Sequence, residues 1–241
     1  MEDRKNLFEG YFDSIYARSN IFTPEEYENS ARDFDVHFGS YMPEEKDAPI
    51  LEIGCGTGHF LYFLKKRGYL NFLGIDISES QVKFCSETIT PNVKHTDVFE
   101  FLADERNSYT VISSSDVIEH IPKEKIIPFL QLIYQALKPG GVLLLKLPNM
   151  SNPFSLDSRY RDFTHECGFT GESIYQVLYM AGFRTISLYP SHVFGKSLKS
   201  LLNRIFTSTF HAILRKLFWH QGISAPEILS CRLVVISKKE K

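Results

Sequence analysis

Ile50 to Phe60 reads ILEIGCGTGHF, and Asp76 follows in LGIDIS. An apolar run of strand length, closed by Glu52 and Ile53, passes into Gly54, Gly56 and Gly58 on alternate positions. Such a run predicts a buried strand, and the glycines after it a turn in which backbone comes close to a ligand. The next apolar run, Phe72 to Ile75, ends on Asp76, a carboxylate suited to hydrogen bonds from a ribose diol. A nucleoside is expected across these two strand ends.

The glycine spacing separates two kinds of nucleoside cofactor. A dinucleotide fingerprint, G-x-G-x-x-G, brings its third glycine three residues after the second, because a pyrophosphate sits on the helix N-terminus. Here it comes after two, and His59 occupies the place of the third glycine. With Glu52 before it and Asp76 after it, the stretch resembles motif I of class I S-adenosylmethionine (SAM) methyltransferases, whose ligand carries no phosphate. The resemblance implies a cofactor site built from Glu52, Gly54, Cys55, Gly56, Gly58 and Asp76, with Ile77 as an apolar wall for adenine. It also implies that Asp97 accepts from the adenine amino group while the Val98 amide faces the ring. Read as residues alone, Asp97 equally suits a helix N-cap, and Ile77 a core contact. The run SSSDVIEHI places Ser115, Asp116, Val117 and Glu119-His120 after the fourth strand and resembles motif IV of the same enzymes, which implies that this loop, with Ser115 and Asp116, lines the methionine part of SAM and the acceptor pocket, with His120 at the pocket wall. Thr110 stands where many members carry an acid, a departure early in the strand.

Around these motifs, strand and helix patterns alternate. Strands are predicted at 50–53, 71–75, 92–95, 109–114 and 141–147, with helices at 57–67, from Ser78, at 98–104 and at 123–137. Ser78 with Gln81 matches a capping box, and Leu137-Lys138-Pro139-Gly140-Gly141 stops one helix and turns into a strand. Thr170 caps a helix running to about Gly182, and strands follow at 183–188 and 229–237. This order predicts an α/β, doubly wound, mostly parallel seven-stranded sheet, a Rossmann-like methyltransferase fold. The expected organisation is a single domain over 1–241. Residues 1–47 form an N-terminal helical cap, whose segment ARDFDVHFGSYM packs beside the cofactor mouth, and 48–149 form the SAM core. Residues 150–241 hold an acceptor loop, a helical insertion and the last strands.

Composition narrows the class. The chain has 241 residues and net charge −2. Cys55, Cys85, Cys167 and Cys231 lack the spacing of a zinc site or a disulfide framework. No stretch approaches the roughly 20 apolar residues of a membrane span, so a cytoplasmic protein is expected. Neither the overall charge nor an aromatic-basic groove points to nucleic acid, and Asn152-Pro153-Phe154 falls after the fifth strand and reads as a turn.

The stretch 150–170, MSNPFSLDSRYRDFTHECGFT, is too long for a routine connection and reads as a functional loop. RYRDFTHECGFTGESI resembles a segment of methyltransferases of bacterial surface-polysaccharide assembly, such as O-antigen or capsule. Methyl transfer from a sulfonium needs in-line alignment, and an alcohol acceptor also needs its proton removed. His165 is the leading base candidate, with Asp162 to orient it and His120 second. Each of the two histidines also has a structural reading, as a loop brace or a pocket wall. Arg159 and Arg161 suit a phosphate or carboxylate on the acceptor, with Tyr160 on a sugar face, and equally suit a solvated loop. The spacing of His120, Asp162 and His165 matches no recognised metal motif, so no metal is expected.

From His192 onward nine Lys or Arg face two acids, a surplus of +7, so the preceding residues carry −9. Within 196–220, Leu198, Leu201, Leu202, Ile205, Phe206, Phe210, Ile213, Leu214, Leu217 and Phe218 recur at three- and four-residue steps, with Lys199, Arg204, Arg215, Lys216 and Trp219 among them. An amphipathic helix is predicted, interrupted near Thr207-Ser208-Thr209. It lies either on a membrane surface, which would suit a lipid-linked glycan acceptor at the inner membrane, or on its own sheet or a second copy in a homodimer. The expected activity is SAM-dependent O-methylation of a sugar or phosphosugar. Another small acceptor, such as a quinone or lipid precursor, and a non-catalytic SAM-binding regulator are the alternatives.

Overall fold

A computed structural model of the chain describes Phe8, residues 22–191 and residues 198–241. The rest of the expected N-terminal cap before residue 22, and positions 196–197 of the amphipathic segment, lie outside the described residues.

The described elements run α1 (Pro24–Phe38), β1 (Ile50–Ile53), α2 (His59–Lys66), β2 (Phe72–Asp76), α3 (Glu79–Thr88), β3 (Val93–His95), α4 (Val98–Leu102) and β4 (Tyr109–Ser115). They continue with α5 (Ile126–Ala136), β5 (Leu137–Pro148), α6 (Leu156–Tyr160), α7 (Gly171–Ala181), β6 (Thr185–Pro190), α8 (Leu198–His220) and β7 (Arg232–Lys238). The seven strands form one sheet in the order β3-β2-β1-β4-β5-β7-β6. β1 to β5 pair in parallel, and β7 runs antiparallel to both β5 and β6. The expected doubly wound, mostly parallel sheet is thus present, with the helical insertion before the last strand.

Successive residues of the central strands enter two different cores, as the two-residue period requires. Leu51, Ile53, Leu143, Leu145, Leu233 and Val235 pack on one face with Phe129, Ile133, Ile174 and Leu178 of α5 and α7. Ile50, Leu144, Val234 and Ile236 pack on the other with Phe34 and Phe38 of α1 and Phe60 and Phe63 of α2. Strand order reverses at β1, which has β2 on one side and β4 on the other. The crevice at the carboxyl ends of those strands is where open α/β sheets take ligands.

Three local expectations change. Ser78 precedes α3 in extended conformation, but its side chain makes no cap bond to the helix and its hydroxyl lies 3.1 Å from Ser80 Oγ. The Ser78 N–H that Gln81 would accept in a capping box goes to Asp76 Oδ1 at 2.8 Å instead, and Gln81 lines the cavity. α8 runs unbroken through Thr207-Ser208-Thr209. Three residues of middling helix propensity do not interrupt a helix of 23. The fifth strand begins at Leu137 rather than 141, because Leu137 already pairs with Tyr109 before the glycine turn. Thr170 caps α7 through its hydroxyl as read, and Gly182 ends it at φ +115°.

Candidate active site

The turn after β1 is clamped to the end of β2: Gly54 and Cys55 donate their backbone N–H groups to the Ile75 carbonyl at 2.8 and 3.0 Å. Gly54 has φ +70°, and a Cβ there would lie 2.2 Å from Val117 Cγ2, so this position takes neither a left-handed side chain nor the added atom. Asp76 closes the cradle. Its two carboxylate oxygens accept the Gly56 and Ser78 N–H groups, each at 2.8 Å. Burial pushes the Asp76 carboxyl above its usual range against those bonds. Glu52 lies beside it, buried, with Oε2 meeting no hydrogen-bond donor among the described residues. Burial, then the charges of Cys85 and Asp76, push its carboxyl well up. An acid in that state calls for a donor from a ligand.

A single cavity of about 1880 Å³ runs from this cradle to the far side of β4 and β5. Its lining includes Glu52, Gly54, Cys55, Gly56, Asp76, Ile77, Asp97, Val98, Ser115 and Asp116. Ten of the eleven residues expected to hold the cofactor therefore meet in one place. Gly58 does not line it: a Cβ on Gly58 would lie 2.5 Å from Cys85 Sγ, so this glycine serves the close packing of α2 on α3. Asp97 combines both readings, since its carboxylate caps α4 at the Phe99 N–H, 2.7 Å away, while it faces the cavity. The Ser115 hydroxyl has no partner among the described residues.

The described helix before the core contributes too. Asn29, Ser30, Asp33 and Phe34 of α1 line the mouth, and Tyr27 stacks on His59 with centroids 4.4 Å apart. Asp33 also pairs with Lys146 of β5. Lys146 interrupts the apolar run LLLKLP, a signal that the sequence carried and the motifs did not use.

The far side of the cavity is made by two segments that the chain keeps far apart. Asp116, at φ +55°, turns the chain out of β4 into the short 3-10 turn Ile118–His120. The 156–166 segment packs on that turn, with Glu166 and Cys167 donating N–H to the Glu119 carbonyl at 2.7 and 3.1 Å. His165 thereby comes against His120, their rings 4.6 Å apart and edge to face. The His120 Nδ1 lies 2.8 Å from Thr164 Oγ1, whose own proton goes to Asp162 Oδ1 at 2.7 Å. Asp162 orients His120 through Thr164 rather than His165 directly, which corrects the expected pairing. The His165 Nδ1 sits 2.7 Å from the Ser158 carbonyl and must donate to it, which leaves Nε2 with the lone pair. Burial, then the neighbouring His165, push His120 down to about 4, so it is neutral at physiological pH.

The arginine pair divides. Arg161 lines the cavity and pairs with Asp157. Arg159 spends its guanidinium on the carbonyls of His165 and Glu166, at 2.7 and 3.0 Å, and Tyr160 is exposed outside the lining. Arg159 is thus the brace of the His165 loop, and neither it nor Tyr160 is placed to hold an acceptor in this cavity. Asn152-Pro153-Phe154 is a turn, pinned by Asn152 Nδ2 on the Leu229 carbonyl at 2.8 Å.

α8 lies largely away from the sheet. Leu201, Leu202, Ile205, Phe206, Ile213 and Leu217 are each more than half exposed, which corrects the reading in which the helix folds over its own core. Phe154 meets Phe210 at 5.5 Å, and Arg204 reaches the cavity mouth. No helix among the described residues is long and apolar enough to cross a membrane.

Known proteins share this fold. A family model described as a methyltransferase domain matches residues 25–188. The tRNA N(3)-methylcytidine methyltransferase trm141 of Schizosaccharomyces pombe is 27% identical over 182 residues, 65% of this chain and 72% of that protein. A 2-methyl-6-phytyl-1,4-hydroquinone methyltransferase of Synechocystis is 31% identical over 99 residues, 40% of this chain, which spans only 30% of that relative's length. A solved SAM-dependent methyltransferase of Archaeoglobus fulgidus superposes with a TM-score of 0.64 at 24% identity, over 89% of this chain and 97% of that one.

Proposed function

We propose that this chain, which belongs to the methyltransferase-domain family and is a SAM-dependent methyltransferase, methylates an oxygen of a sugar or phosphosugar in bacterial glycan assembly. The observation that carries this reading is the continuity of the cavity. The cradle of Glu52, Gly56 and Asp76 and the histidine pair His120 and His165 face one space of about 1880 Å³. A single small ligand fills roughly 300–1,000 Å³, so this space suits SAM together with a second molecule. On the histidine side the second molecule meets Glu119, His120, Arg161, Asp162 and His165, polar and titratable groups that suit a hydroxylated acceptor. In this reading the acceptor hydroxyl is activated at His165, whose Nε2 lone pair is held by the Ser158 carbonyl on the opposite nitrogen, and Arg161 attracts a negatively charged acceptor.

The whole chain acts as one unit in this proposal, with 150–170 as the acceptor wall and α8 as the element that brings the mouth to a lipid-linked acceptor. The exposed apolar side of α8 and Arg204 at the mouth support that placement. The relatives named above act on tRNA and on a phytyl hydroquinone, so the acceptor class rests on this chain's own pocket and on the RYRDFTHECGFTGESI segment. Incubation with labelled SAM and a panel of nucleotide-sugars, glycolipids, hydroquinones and tRNA tests it. Label in a sugar-bearing acceptor is the expected result. Label in the hydroquinone or tRNA fractions alone, or SAM binding with no transfer to any fraction, contradicts it.

A further inference from the structure

We infer that Glu119, His120 and His165 form a binding site for a divalent transition ion, which holds and acidifies the acceptor hydroxyl. The inference rests on the transferase reading above and adds to it the means of activation.

One carboxylate oxygen of Glu119 and one nitrogen from each histidine lie within 4.8 Å of one another. Two imidazoles and one carboxylate make a set that suits ions of the Mn²⁺ to Zn²⁺ series and leaves coordination positions open. An independent observation points the same way. Glu119 is 2% exposed, yet neither of its oxygens meets a hydrogen-bond donor among the described residues. A buried carboxyl left in that state is costly, and a cation removes the cost. Arg232 pairs with Asp116, and its charge reaches Glu119 without a hydrogen bond to either Glu119 oxygen.

The outer contacts are those that metal-bound histidines make. A ligating histidine usually donates its other ring N–H to a carbonyl or a carboxylate network, which fixes the tautomer and the ring plane. His165 does so to the Ser158 carbonyl, and His120 to Thr164, whose hydroxyl is bonded to Asp162. Both rings therefore carry the Nε2 lone pair. The backbone bonds from Glu166 and Cys167 to the Glu119 carbonyl, together with the Arg159 brace, hold the two halves of the site in register. Sequence spacing does not reveal the set, because Glu119 and His120 are adjacent while His165 arrives through the packing of a distant loop.

An open position on the ion takes the acceptor oxygen and lowers its pKa. The hydroxyl proton passes to solvent, and the oxygen lone pair forms the new O–C bond. The S–C bond breaks as that bond forms, its electron pair returning to sulfur to give the neutral thioether of S-adenosylhomocysteine. His165 in this scheme acts through the ion.

The test uses the full chain, stripped with EDTA and titrated with Co²⁺. Visible d–d absorption reports bound imidazole, and calorimetry reports affinity. One Co²⁺ per chain is expected, with affinity weakened at least tenfold in His165→Ala and in Glu119→Gln and unchanged in His220→Ala. His165→Ala lies in a surface segment, so it reports even where Glu119→Gln perturbs folding. Absence of Co²⁺ binding, or binding indifferent to both substitutions, overturns the site. Transfer to the acceptor at full rate after chelation also overturns it while leaving the transferase reading intact. Co²⁺ held by these residues in a chain that methylates no sugar-bearing acceptor supports the site and removes the glycan reading.

Discussion

Asp76 takes one backbone N–H on each carboxylate oxygen and still has lone pairs directed at the cavity, so it both shapes the turn and meets the ligand. Asp76→Ala is expected to weaken SAM binding by tenfold to a hundredfold in calorimetry, about what a hydrogen bond or two to a charged group supply. An unchanged affinity would remove Asp76 from the cofactor site. His165 has the complementary expectation. His165→Ala should leave SAM affinity within a factor of two or three and slow transfer by roughly a hundredfold or more in a single-turnover assay with the true acceptor. A full rate would take acceptor activation away from this loop. The contrast between these residues shows what sequence makes legible. Gly54, Gly56 and Asp76 occur at fixed short spacings because one turn and two neighbouring strand ends impose them, so the cradle is readable from the motif. Glu119 and His165 meet through backbone and side-chain bonds between a 3-10 turn and a loop more than forty positions away, and no spacing rule encodes that. Arg159 looks like a ligand for phosphate in sequence and is a loop brace in the fold, because the same guanidinium serves two carbonyls as readily as an anion.

At the scale of elements, strands and helices with strong periodicity fall where they are expected, and the differences have local causes. Ser78 has the residue type of a capping box, but its N–H is taken by Asp76 and its side chain makes no cap bond. Thr170 meets its partner Ser173 and forms the box in full. α8 is the element whose pattern and placement pose the sharpest question. Its apolar residues repeat at helical steps, and the fold leaves them facing outward. Arg215 is bonded to the carbonyls of Pro226 and Glu227, which ties the helix to the approach of β7; Arg204 and Lys216 are further exposed cations among the described side chains of the helix. An interfacial helix of this kind is expected to bind anionic vesicles and to lose that binding in high salt. Flotation with phosphatidylglycerol vesicles should therefore carry the chain upward, and Phe206→Glu with Ile213→Glu should abolish it. A chain that stays with the soluble fraction at low salt contradicts membrane placement and leaves a second protein as the occupant of this face.

For the whole molecule, the N-terminal helix and the sheet are joined across the cavity mouth by Asp33, which meets Lys146 of β5 and His37 of its own helix. Burial alone would raise the Asp33 carboxyl, but the His37 hydrogen bond and the Lys146 charge outweigh it and bring it down to about 2. A carboxyl depressed in the folded state gives stability that is present above its unfolded value, about 3.9, and is lost as pH falls through its folded value. Asp33→Asn is thus expected to cost about 1–2 kcal/mol at neutral pH in urea melts, discounted for the partial exposure of the group. That difference from the parent chain should shrink between about pH 4 and pH 2. A difference that stays constant over that range would mean that the pair contributes little and that packing alone holds α1. The entire architecture converges on one claim, that the crevice at β1 and β2 accommodates an adenosyl group and a sulfur-bearing amino-acid tail and has no seat for a diphosphate. Calorimetry with S-adenosylhomocysteine and with NADH on the same preparation tests it most directly. One S-adenosylhomocysteine bound per chain and no heat from NADH are expected; tight NADH binding with indifference to S-adenosylhomocysteine would contradict that claim.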